Sequence, residues 1–372
     1  MASRNPNIDL LRGVAITLVL LLHHALSYGF RGSIVAELLP ETWLHNLVIN
    51  GNYAVTMFFS ISGYLITTNT LHRYGNLNSI KIGQFYYLRA ARMLPPLLLA
   101  LLIITISALN GLQDFRNVDG GHNLPNSYLL VAILSVLTFW HNVLMQFQGY
   151  FNYALNIYWS LSVEEMFYLA FPLVCVTLRS ERKLVFASLS LIAIGPLYRW
   201  LHLDNDIDYL YGYLACFDAI SFGILAALLQ NKVSRNVMRI WQVAAVVGLV
   251  VIYFSGIRGH VVFGFTGIAL CTAILLIHIP PNQTPFWSYL TLPLRWMGRH
   301  SYELYLFHII VLGVMRFYIP PSTILGNTKL LMFGIMVGTS CFVSFVVARW
   351  YATPINRWIR QRRVAQPSGT GS

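Results

Sequence analysis

Eleven apolar segments recur along the chain, at about 14–30, 52–69, 93–110, 128–146, 158–178, 184–201, 209–229, 240–256, 261–279, 301–318 and 330–350. A bilayer core about 30 Å thick takes about 20 apolar helical residues to cross. Only helices and closed barrels satisfy their backbone polar groups in lipid, and runs of this length fit helices. The repetition therefore predicts an all-α fold, a polytopic transmembrane helical bundle. Composition agrees: 56% of the 372 residues are hydrophobic and 10% charged, against about 25% charged in soluble domains. A length that would suggest roughly two or three soluble domains is read here as one transmembrane domain over 1–363. The polar tail at 364–372 is expected to be disordered. No cleavable signal peptide and no appended soluble domain are expected, and the first apolar run is read as a retained span.

The net charge of +12 would suggest nucleic acid in a soluble protein. In a membrane protein it reflects basic cytoplasmic loops and contact with anionic lipid, so no nucleic-acid partner is expected. With a cytoplasmic N-terminus and 128–146 not crossing fully, 19 of the 25 Lys and Arg residues fall inside. Arg31, Arg116, Arg199, Arg258, Arg316 and Lys329 then lie outside, with the acidic cluster Asp204, Asp206 and Asp208. A full crossing by 128–146 would move the 179–183 loop, the Lys232–Arg239 loop and the basic tail outside. The charge bias favours ten full crossings, with 128–146 re-entrant or along the outer surface and both termini cytoplasmic. The length of that segment argues for eleven. The four cysteines, Cys175, Cys216, Cys271 and Cys341, lie in apolar segments without metal-ligand spacing and are read as small core residues; no metal is expected.

Ionisable residues inside a span are costly and mark function by default. The first helix carries Asp9 and Arg12, a candidate ion pair, then His23 and His24 deep in the apolar run. Arg12 and His23 are about 16 Å apart along a helix and share one face, while His24 lies about 100° round it. A neutral imidazole can enter a span and still take a proton near pH 7. The competing reading is a histidine bonded to a neighbouring helix. Ser60, Ser62 and Gly63 read as small residues for close helix packing. Arg89 and Arg92 share a face and can fork onto phosphate oxygens, or simply set topology; Pro95 and Pro96 follow. Trp159, Ser160, Glu164 and Glu165 would sit at the outer mouth, where carboxylates and an aromatic face suit a sugar. Their competing reading is an interfacial belt. Ser301 can cap a helix with Glu303 in its first turn, and that stretch, including His308, reads as largely structural.

Five of these motifs, in order, resemble the acyltransferase-3 family of integral-membrane acyltransferases over residues 8–350. They are Asp9-Leu-Leu-Arg-Gly with His23, Phe58-Phe-Ser-Ile-Ser-Gly-Tyr-Leu-Ile-Thr, Arg89-Ala-Ala-Arg, Tyr158-Trp-Ser-Leu-Ser-Val-Glu-Glu and Ser301-Tyr-Glu-Leu-Tyr-Leu-Phe-His. Asp218 and Gly223 also look familial. The resemblance implies an O-acyltransferase of the bacterial inner membrane, with acetyl-CoA or another acyl-CoA as donor. The acceptor would be a carbohydrate, glycolipid or small hydroxylated compound. It selects His23 over His24 as the catalytic base and leaves Asp9 and His24 in support. It assigns Arg12, Arg89 and Arg92 to the donor, and Trp159, Ser160, Glu164 and Glu165 to the acceptor. This chain departs from the family at Tyr351-Ala-Thr-Pro, where many members carry a glutamate before the proline. Many relatives also fuse a hydrolase-like domain, without which the chain would complete transfer alone or pass its acyl group on. The rival readings are a transporter of a small polar solute or lipid-linked intermediate, and an assembly factor.

Overall fold

The computed structural model describes residues 5–230, 232–279 and 285–364; the tail from 365 lies outside them. The protein is all-α apart from a two-residue hairpin pairing Val118–Asp119 with His122–Asn123. Ten helices of sixteen or more residues make the bundle among the described residues. They are α1 (Pro6–Ser27), α2 (Asn52–Tyr74), α3 (Ile82–Leu109), α4 (Trp159–Leu178), α5 (Glu181–Leu201), α6 (Tyr213–Leu229), α7 (Arg235–Ser255), α8 (Val261–Leu276), α9 (Ser301–Tyr318) and α10 (Thr328–Val346). Seven stretches, built around α1, α3, α4, α5, α6, α7 and α10, are long and apolar enough to cross a membrane. The more polar α2 and α9 lie inside the bundle, where neighbouring helices rather than lipid meet their side chains.

The apolar segment 128–146 is two short helices, Asn126–Leu137 and His141–Gln148. The first is about 18 Å long at 1.5 Å per residue, short of a bilayer core. The break falls at Phe139, whose φ of 64° is unusual for a bulky side chain. Neighbours hold it there. Tyr213 donates its hydroxyl to the Phe139 carbonyl at 2.5 Å, and the His141 N–H donates to Ser162 Oγ at 3.1 Å. Gln146 and Tyr150 then reach Asp208 and Asp206, tying this segment to the short helix Asp206–Tyr211.

α2 is the hub, packed against α1, α6 and α8. Its crossing with α6 is at backbone distance: a Cβ on Gly63 would stand 2.0 Å from the Ile220 carbonyl oxygen. Ser60 donates to the Ala219 carbonyl at 3.0 Å in the same crossing, as small residues at a helix interface allow. Gly63→Val is expected to lower stability by at least the ~1–3 kcal/mol typical of overpacking, because the obstacle is backbone. Thermal unfolding of the purified protein checks this.

One charge sits elsewhere than its sequence position suggested. Arg199, assigned to an outer loop, is fully buried at the end of α5 and pairs with Asp218 of α6 at 2.7 Å. A lone guanidinium inside the bundle is costly, so it is placed where a carboxylate can meet it.

Candidate functional site

α1 begins with Asn5 accepting from the Asn7 N–H and Pro6 in its first turn, a preorganised start. Gly13 lets the segment Leu292–Arg299 cross α1 at backbone contact. Asp9 is buried there and pairs with Arg299 at 3.4 Å. One turn on, Arg12 Nε donates to Ser301 Oγ at 3.1 Å. Ser301 thus anchors Arg12 rather than capping α9, whose N-cap His300 makes no side-chain cap bond.

Further along the same face, His23 is half-buried, with Nδ1 2.9 Å from the Val19 carbonyl oxygen. A carbonyl only accepts, so in the neutral ring Nδ1 carries the proton and Nε2 the lone pair. Its neighbour is His308 of α9, with ring centroids 4.9 Å apart and His308 Nε2 3.4 Å from His23 Nδ1. His308 Nδ1 faces the Leu304 and Tyr305 carbonyls at 3.0 and 2.9 Å. Its Nε2 is therefore an acceptor, and the His23 Nδ1–H is shared between Val19 and His308. The two imidazoles hold one tautomer each. His24 points elsewhere: it is buried among Tyr28, Phe30 and Phe333, with Nε2 3.1 Å from the Lys329 carbonyl oxygen.

A cavity of about 510 Å³ opens between α2, α3, α4 and α9. Its wall includes Arg12, Arg89 and Arg92 with Ser160, Glu164 and Glu165, and also Ser62, Arg73, Tyr168, Tyr305 and Arg360. Asp9, His23, His24 and Trp159 are outside its lining. Trp159 instead packs on Tyr211, with ring centroids 4.3 Å apart, and edge-on to Phe59. The cavity approaches the histidines through Tyr305, whose ring lies 5.8 Å from that of His308. Tyr305 is held by Ser160 at 2.6 Å and by donation to the Ile157 carbonyl at 2.7 Å.

The outer-mouth placement of the two glutamates gives way to a different arrangement. Glu165 is buried and takes a two-pronged bond from Arg89, through Nε at 2.7 Å and through Nη2. Glu164 lies 3.5 Å from the same guanidinium and accepts from Ser62 at 2.6 Å. The Arg89 guanidinium also lies over the Tyr168 ring, 3.1 Å from its centroid. The physical reason is the cost of a buried carboxylate without a partner. Glu165→Ala leaves Arg89 without its main counter-charge and is expected to cost about 3–5 kcal/mol. Arg89→Met with Glu165→Leu should recover most of that loss in a thermal melt.

Sequence reading missed His308, Tyr305, Ser62, Arg73 and Arg360 as parts of this region. His308 carried a signal as an ionisable group inside an apolar span, and Ser62 and Tyr305 fall in motifs read as packing or structural. Among the described residues, no three His, Cys, Asp or Glu side chains cluster as a metal site requires.

A family model described as an acyltransferase domain matches residues 5–349. A "Putative O-acetyltransferase" of Staphylococcus aureus strain COL is 25% identical over 335 residues, covering 84% of this chain and 51% of the relative. The O-acetyltransferase OatA of Staphylococcus aureus strain NCTC 8325 is 25% identical over 383 residues, covering 95% of this chain and 57% of the relative. The chain thus spans about half the length of the curated relatives it matches. No solved structure matches it.

Proposed function

The chain belongs to the acyltransferase-3 family, and on that premise we propose that it is a membrane-embedded O-acyltransferase. It moves an acyl group, acetyl first among them, from acyl-CoA to a hydroxyl of a carbohydrate, glycolipid or small acceptor. The observation that carries this reading is the arginine-lined cavity bounded by Tyr305, whose ring lies 5.8 Å from that of His308, itself 4.9 Å from that of His23. The relatives named O-acetyltransferase support the acyl group and the hydroxyl acceptor.

His23 Nε2 is the base. With the acceptor hydroxyl brought past Tyr305, it takes that hydroxyl's proton as the oxygen attacks the thioester carbonyl. The C–S bond then breaks, and the imidazolium returns the proton to the departing sulfur. His308 and the Val19 carbonyl hold the His23 ring in the tautomer that leaves Nε2 free to act. Arg12 and Arg92 face the donor's phosphates. Arg89 is committed to Glu165 and Tyr168, which makes it a wall-forming group rather than a free anion ligand. Ser160 and Glu164 are the polar groups of the cavity suited to an acceptor.

In this reading the chain crosses a bacterial inner membrane ten times, with both ends cytoplasmic. The inside excess of Lys and Arg supports it, as does the break of 128–146 into two helices too short to cross. The test uses the purified full chain in nanodiscs, with acyl-labelled CoA and candidate glycan acceptors. Covalent transfer of label is expected. Solute flux through vesicles without chemical change would replace this reading with a transporter.

A further inference from the structure

Three guanidinium groups besides those of Arg12 and Arg89 line the cavity wall. Arg73 lies in the last turn of α2, Arg92 in the third turn of α3, and Arg360 on the final helix Thr353–Val364. All three line the cavity. That final helix follows α10 through a π-helical stretch, Val347–Ala352, a local widening common at functional positions. Arg360 is near enough to Arg73 and Arg92 for their charges to oppose its own. Its Nε is buried and has no hydrogen-bond partner among the described residues. Arg92 is within electrostatic reach of Glu165 and Glu303. Among the described residues, neither Arg73 nor Arg92 makes a hydrogen bond or ion pair.

This differs in kind from Arg89. There a carboxylate is seated against the guanidinium by two bonds, and the charge is answered from within the fold. Here three like charges line one cavity and no carboxylate is seated on any of them. Arg73 and Arg92 are exposed and Arg360 partly buried, so solvent screens part of that repulsion, and an anion seated among the three answers what remains. The planar guanidinium fork matches phosphate oxygens, and several forks converging on one point suit a dianion better than a carboxylate.

We propose that Arg73, Arg92 and Arg360 form a phosphate cradle, with the final helix supplying its third side. Its ligand is a phosphate ester, carried either by the nucleotide part of the acyl donor or by the headgroup of an anionic lipid. The nucleotide assignment rests on the acyltransferase reading; the cradle does not.

The full chain is placed in nanodiscs of phosphatidylcholine alone and in nanodiscs that also contain phosphatidylglycerol. Coenzyme A binding is measured by calorimetry, and retained phosphatidylglycerol by native mass spectrometry. If the nucleotide is the ligand, Arg73→Gln and Arg360→Gln each weaken coenzyme A binding about tenfold, the loss of one charged hydrogen-bond partner. Arg357→Gln, exposed on the same helix, leaves binding unchanged. If the lipid is the ligand, the variants bind coenzyme A like the parent and lose phosphatidylglycerol. The cradle then stands, and the coenzyme A donor loses this support. In phosphatidylcholine without added ligand, Arg360→Gln holds or raises the melting temperature, because one of three repelling charges is gone. Unchanged binding of both ligands by well-folded variants overturns the proposal, as does a fall in the ligand-free melting temperature.

Discussion

His23→Ala is expected to lower acyl transfer by about 10²–10⁴-fold, the range that a positioned general base contributes. The loss should appear in kcat, with the KM for the donor nearly unchanged, because a general base touches the reacting hydroxyl and not the phosphates by which the donor is held. The thermal melt should stay close to the parent's, since His23 is half-buried and bonds to a carbonyl of its own helix and to His308. His24→Ala should do the reverse. It removes a ring packed against Tyr28, Phe30 and Phe333, so the melt falls while the rate per folded molecule holds. His308→Phe keeps the ring volume but removes the acceptor beside His23 Nδ1. A rate loss smaller than that of His23→Ala, with a changed pH profile, would mark His308 as a positioning residue. Normal turnover by His23→Ala would remove the base from the mechanism.

Asp218→Ala is expected to destabilise the protein by about 3–5 kcal/mol, the cost of breaking a buried ion pair from one side. Both partners are sealed, with side-chain exposures of 0% for Arg199 and 1% for Asp218. Asp218 Oδ2 accepts from Arg199 at 2.7 Å and from Thr266 at 2.8 Å, and Oδ1 from the Ala219 N–H at 2.8 Å. Arg199 also donates to the Val262 carbonyl at 3.1 Å and to that of Ala215. Removing the carboxylate leaves a desolvated cation that carbonyl dipoles only partly answer. Arg199→Met combined with Asp218→Leu should regain most of the loss, since apolar replacement of a buried pair is often neutral or better. Thermal unfolding of both variants decides the matter; a wild-type melt for Asp218→Ala alone would show that the network does not hold α5, α6 and α8 together.

The two histidines show how far linear reading reaches. His23 was accessible because its distance from Arg12 is a helical repeat, and a repeat is local information. Its partner His308 is 285 residues away in sequence, and no spacing rule connects them. The glutamates make the same point. Glu164 and Glu165 were legible as polar intrusions into a span, yet their position against Arg89 and Ser62 depends on how α2, α3 and α4 are seated together. Tyr305, between cavity and histidines, sits in a motif that read as structural, because an aromatic residue in a span is as readily packing.

Sequence by itself determined that this chain is a bundle of helices, because uninterrupted apolar runs of this length satisfy their backbone groups only as helices in lipid. It also determined which groups could carry chemistry, since charged and imidazole side chains inside such runs are costly. Tertiary structure alone decided the partners: Arg89 to Glu165, Arg199 to Asp218 and His23 to His308, and it alone brought Arg73, Arg92 and Arg360 to the wall of one cavity. Periodicity fixes the face of a helix that a residue occupies, whereas pairing depends on the relative rotation and depth of two helices, which packing of the whole bundle sets.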